Sequence, residues 1–214
     1  MIPLRDSTPS LSFPLVTILI IIANIYVFYL QITSGLIGME EMIYHKGFIP
    51  VNFLNNPLSA LTYMFLHGNF AHILSNMWIL WLLGDNVEDR MGKTRFIIFY
   101  LLCGIIAALT HYYINPTSPV PVVGASGAIA GVMGAYFIMF PRAGILTFVP
   151  PFFLLVFPAW LYLGIWILTQ LWCGAGSLML GTCNSIAFWA HIGGFVSGAI
   201  LHPFFVRQER PYYY

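Results

Sequence analysis

The sequence predicts an all-α membrane protein, a bundle of six helices that cross the bilayer. Three observations predict it. Of 214 residues, 59% are hydrophobic and only 7% are charged, where a soluble domain carries roughly a quarter charged residues. The apolar residues gather in six runs, at about 12–32, 57–83, 94–113, 122–140, 150–172 and 186–206, each long enough for the ~20 helical residues that span ~30 Å of hydrocarbon. When the connections are assigned alternately to the two sides of the membrane, the basic residues divide unevenly. Arg5, Arg90, Lys93, Arg95, Arg142, Arg207 and Arg210 fall on one side and Lys46 alone on the other, so both termini are expected in the cytoplasm.

Taken in order, the first run is followed by "QITSGLIGMEE", which offers no small-residue cleavage site, so it reads as a retained helix and not a signal peptide. The connection at about 32–57 is too apolar for a solvated loop and too interrupted to span, and is expected to lie in the membrane interface. Run two carries "HGNFAHILSN" and ends in "GDNVEDRMGKTR". The charges there, Asp85, Glu88, Asp89, Arg90, Lys93 and Arg95, suggest a solvated turn with local ion pairs. Run three contains Cys103, a packing residue, and run four opens on "GASGAIAG". Runs five and six are joined on the outer side by "CGAGSLMLGTC", where Cys173 and Cys183 either pair or remain thiols.

Nothing divides the chain, so residues 1–214 read as one integral domain. The lack of a Lys/Arg cluster argues against nucleic acid as a partner. Short termini favour a prokaryotic cell (inner) membrane. His45, His111 and His202 sit near span ends or in loops, and Tyr212–Tyr214 suit interfacial anchoring.

Polar side chains in hydrocarbon are costly, so His72, Asn76, Ser126 and His191 each need a reason. The alternation of spans puts all four in the outer half of the bilayer. Ser126 is expected about a turn into its span, with His191 similarly placed and His72 and Asn76 deeper along run two. Run four offers Gly127, Gly131 and Gly134, and run six offers Gly194 and Gly198, two small-residue seams that should let these helices pack closely. Ser126 and His191 lie at the outer ends of those seams, where a hydrogen bond would give a nucleophilic hydroxyl its base. His72 and Asn76, four apart on one helix face with His67 turned well away, can both donate to an oxyanion. The free N–H groups at the start of run four add a donor.

Such a site suits acyl transfer by a Ser126–His191 dyad with no metal and no cofactor. A third member is not evident, because Glu40 and Glu41, the acidic residues on the outer side, are not placed to orient His191. Competing readings are a packing serine bonded to its own backbone, a zinc site at His67 and His72, for which "HGNFAH" has the wrong spacing, and a nucleophile elbow, for which Ala128 stands where glycine is required. A transporter is disfavoured by the lack of an inverted repeat.

In "HGNFAHILSN", "GDNVEDRMG", "GASGAIAG" and "AHIGGFVSG", in that order between about Leu61 and Pro203, the chain resembles the rhomboid intramembrane serine proteases. The resemblance implies a six-helix fold with Ser126 as nucleophile, His191 as general base, and His72, Asn76 and the Ser126 N–H as the oxyanion site. It also implies structural roles for His67 and Glu88, and transmembrane proteins in the bilayer as substrates. A silent member would bind membrane helices without cleaving them, and would be expected to lose the nucleophile or the base. Two departures stand out. The Trp-Arg pair of the first outer loop is absent, and Ala130 stands where some members stack a tyrosine on the catalytic imidazole.

Overall fold

Without water to bond to, a long apolar run satisfies its backbone internally, and a helix is the simplest way to do so. The computed structural model describes residues 1–180 and 187–207 and is mostly helical. Its longer helices are α1 (Leu15–Thr33), α2 (Gly35–Lys46), α4 (Phe70–Met91), α5 (Lys93–Ile114), α6 (Ser126–Met139), α7 (Ala159–Leu180) and α8 (Phe188–Phe205), with α3 (Ser59–Thr62) a single turn. Among the described residues, α1 and α5 are by themselves long and apolar enough to cross a membrane, and α6 is a shorter apolar helix.

At the centre stands α6, buried without interruption from Gly127 to Tyr136, and it packs most extensively on α8. The seams meet as expected. A Cβ added to Gly194 would collide with the Gly127 carbonyl oxygen, one on Gly198 with that of Gly131, and one on Gly134 with that of Phe195. Backbone thus lies on backbone along the whole contact, a separation that any side chain would forbid.

Three boundaries differ from the sequence reading. The second run does not begin as one helix, because residues 59–65 form α3 and a 3-10 turn and α4 starts only at Phe70, where the Asn69 side chain accepts the His72 N–H at 2.9 Å as an N-cap. His72 and Asn76 therefore lie in the first two turns of their helix and not deep within it. The fourth run yields a helix only from Ser126, so this residue opens α6 and does not sit a turn inside it.

The largest difference is a sheet in what reads as an all-α chain. β1 (Ile2–Asp6), β2 (Gly144–Val149) and β3 (Phe153–Pro158) form an antiparallel sheet in the order β1-β2-β3. Residues 150–158, expected to start the fifth span, are its hairpin turn and third strand. Pro150 and Pro151 lack the N–H groups a continuing helix would use, so the chain turns there and α7 begins only after Pro158. The pairing of β1 with β2 joins the N-terminal segment to the connection after α6.

The acidic "GDNVEDR" stretch is not a solvated turn. It forms the last turns of α4, with Asn86, Glu88 and Asp89 buried. Glu88 accepts the N–H groups of Val16 (3.0 Å) and Thr17 (2.8 Å) and the Thr17 hydroxyl (2.8 Å). Asp89 accepts the Ser12 hydroxyl, and the Asn86 amide donates to the Thr8 carbonyl at 3.1 Å. These polar groups bind the N-terminal segment, which the local sequence around them could not reveal. Cys183 and Tyr212–Tyr214 lie outside the described residues, and with them the question of a Cys173–Cys183 disulfide.

Candidate active site

The segment leading to Ser126 is held extended. Phe48 and Val122 exchange backbone hydrogen bonds of 2.9 and 2.8 Å, and the Gly124 N–H donates to the Tyr63 carbonyl at 2.9 Å. Tyr63 is anchored in turn by its buried hydroxyl, which donates to the Gly104 carbonyl at 2.7 Å. At Gly124 the chain takes a φ of +122°, a conformation that glycine alone adopts readily, and turns into α6. Ser126 is the first residue of that helix, half-buried, in the turn whose N–H groups have no helical acceptor.

His191 is the fourth residue of α8 and is also half-buried. Its Nε2 lies 2.8 Å from the Ser126 Oγ. Its Nδ1 lies 2.8 Å from Oε1 of Gln170, on α7. Trp166, one turn before Gln170, packs its ring against the imidazole at 5.8 Å between centroids with the planes 36° apart. Trp166 thus supplies an aromatic neighbour to the imidazole, where α6 carries Ala130.

His72 and Asn76 approach from α4 on the opposite side. A Cβ on Gly124 would stand 2.7 Å from the His72 Nε2 and 3.4 Å from the Asn76 Nδ2, which puts both nitrogens beside the turn that carries Ser126. The Asn76 Nδ2 is buried with no hydrogen-bond partner among the described residues. A buried donor left open is costly, and this one lies beside the Gly124 turn that leads into Ser126. All four residues singled out in the sequence therefore meet at one site.

His67 is not turned away from them as the spacing suggests, because it precedes α4. It is buried with its ring 5.1 Å from that of His72. Its backbone is clamped by Gln31 of α1, which accepts the His67 N–H at 3.0 Å and donates to its carbonyl at 3.2 Å. Sequence reasoning missed Gln31, Trp166 and Gln170. For Gln170 the signal was an amide in an otherwise apolar run, passed over because only acids were weighed as partners for His191.

The family model described as "Rhomboid domain" matches residues 55–208. The chain belongs to the rhomboid family. Among its relatives are Rhomboid protein 1, mitochondrial, of Saccharomyces cerevisiae, 28% identical over 70% of this chain and 42% of that protein. Rhomboid protease GluP of Bacillus subtilis is 34% identical over 57% of this chain and 24% of that protein. RHOMBOID-like protein 4 of Arabidopsis thaliana is 31% identical over 69% of this chain and 33% of that protein. The chain thus spans less than half the length of the relatives it matches. Rhomboids are integral membrane proteins, and the family contains serine proteases that act within the bilayer.

Proposed function

We propose that this rhomboid is an active intramembrane serine endopeptidase, a single integral domain of six membrane-crossing helices (α1, α4, α5, α6, α7 and α8) with both termini cytoplasmic. Its substrates are transmembrane segments of other membrane proteins, cleaved near the outer face. The observation that carries this reading is the 2.8 Å contact between the Ser126 Oγ and the His191 Nε2, hydrogen-bond distance between a hydroxyl and a ring nitrogen able to take its proton.

A helical substrate hides its carbonyls in its own hydrogen bonds, so the segment unwinds locally before reaction. His191 Nε2 takes the hydroxyl proton as the Ser126 Oγ attacks the exposed carbonyl carbon. The oxyanion is stabilised by the His72 ring, the Asn76 Nδ2 and the Ser126 N–H, donors already in place before charge appears. His191 then protonates the leaving amine, and water, activated by the same nitrogen, hydrolyses the acyl-enzyme ester and restores Ser126.

The purified protein in liposomes, offered a generic single-pass substrate and a fluorophosphonate probe, tests this. Wild type is expected to cleave the substrate and to bind the probe, and Ser126→Ala to do neither while melting at an unchanged temperature. Undiminished cleavage by Ser126→Ala overturns the assignment, and a folded wild type inert to both overturns the activity.

A further inference from the structure

A base for Ser126 must present a lone pair on Nε2, which requires the hydrogen of the neutral imidazole to reside on Nδ1. In serine hydrolases with a triad, a carboxylate enforces this. Here α6, α7 and α8 contain no Asp or Glu among their described residues, and the atom facing His191 Nδ1 is the Gln170 Oε1, at 2.8 Å. An amide oxygen can only accept, so the contact assigns the hydrogen to Nδ1 and leaves Nε2 open toward Ser126.

We propose, resting on the serine–histidine reading above, that Gln170 is a positioning residue that sets the tautomer and ring orientation of His191 as an uncharged substitute for a triad carboxylate. Its neighbours support the role. Trp166 and Gln170 are four residues apart on one face of α7, and both touch the imidazole, one on its face and one at its edge. Rotation about the ring axis is thus limited by packing, and the choice of tautomer by a hydrogen bond. Ile165, Leu168, Leu171 and Trp172 on the remaining surface of α7 are exposed and apolar, so Gln170 departs from the character of its helix at the point where it meets the base.

Kinetics of variants in liposomes test the proposal. Gln170→Met keeps the length and apolar bulk of the side chain but removes the acceptor. We expect about a tenfold drop in kcat and in the rate of fluorophosphonate labelling, the equivalent of one hydrogen bond, with KM nearly unchanged. Gln170→Glu restores an acceptor and is expected to recover most of the lost rate. A purely structural role would lower the melting temperature of Gln170→Met without this split, and would give no recovery with Gln170→Glu. A wild type inert to the probe overturns the serine–histidine reading itself. A reactive wild type with an unimpaired Gln170→Met overturns the positioning role alone. A further measurement needs no variant of Gln170: the 15N shifts of His191, assigned by difference from His191→Asn, are expected to report hydrogen on Nδ1, and hydrogen on Nε2 would overturn the proposal.

Discussion

The Glu88 carboxylate accepts the Thr17 N–H and so caps α1, two residues inside its start at Leu15. It lies at the far end of α4 from the candidate site, yet it takes two backbone N–H groups of α1 and the Thr17 hydroxyl, while no side chain of the local sequence caps that helix. The free N–H groups of a helix start carry partial positive charge, and a carboxylate there is both a hydrogen-bond acceptor and a dipole partner. Glu88→Ala strips these groups of their acceptor inside the protein. A loss of roughly 2 kcal/mol or more is expected, visible as a lower melting temperature in detergent, with Glu88→Gln falling between. Equal melting of Glu88→Ala and wild type would show that solvent replaces the carboxylate.

Gly124 has both a positive φ and no room for a side chain. Gly124→Ala adds a Cβ 2.7 Å from the His72 ring in a backbone conformation that L-residues rarely adopt. The cost is expected at about 1–3 kcal/mol, and because the strain falls between the His72 and Asn76 side chains and Ser126, probe labelling should fall well beyond what the loss of folded protein explains. Labelling in proportion to folded protein would remove Gly124 from the account of the site.

For Asn76 the effect is expected in chemistry and not in folding. Its Nδ2 has no hydrogen-bond partner among the described residues, so Asn76→Ala breaks no hydrogen bond of that nitrogen seen there, yet under the proposed mechanism it removes a donor to the oxyanion. We expect kcat to fall by about 10²–10³ with little change in melting temperature. A variant that melts early but turns over normally when folded would make Asn76 a packing residue.

A pH effect is expected at the end of the bundle that carries the sheet. Burial raises the Asp6 carboxyl above its usual value of 3.8, and its Oδ2 accepts the Tyr136 hydroxyl at 2.6 Å. A carboxyl that holds its proton more tightly when folded contributes stability at low pH. That contribution declines as pH rises from the unfolded pKa through the folded one, and the curve is flat above. Melting followed from about pH 4 to pH 7 should therefore show a decline in wild type that Asp6→Asn lacks. Parallel curves for the two proteins would assign the dependence to other groups.

Much of this was legible in the sequence because it depends on local pattern. Six apolar runs became the six long helices other than α2, with ends shifted by a few residues in most cases, and the glycines of runs four and six met as a seam. Ser126, His191, His72 and Asn76 could be singled out because a polar group in an apolar run is conspicuous. The sheet was not legible, since "PFFLLVFP" has the composition of a membrane helix and only its pairing with β2 makes it a strand. Nor was the burial of Glu88 and Asp89, because charges near a helix end read as solvated unless their distant partners are known.

By itself the sequence determined which segments are apolar and which polar side chains stand out within them, since both follow from hydrophobicity and spacing along one chain. The tertiary structure alone decided what those side chains face: Gln170 and Trp166 against His191, Gly124 against His72, Glu88 against the start of α1. Each of these joins residues of different helices, or of a helix and a distant loop. Their meeting depends on how whole elements pack, and no local periodicity encodes it.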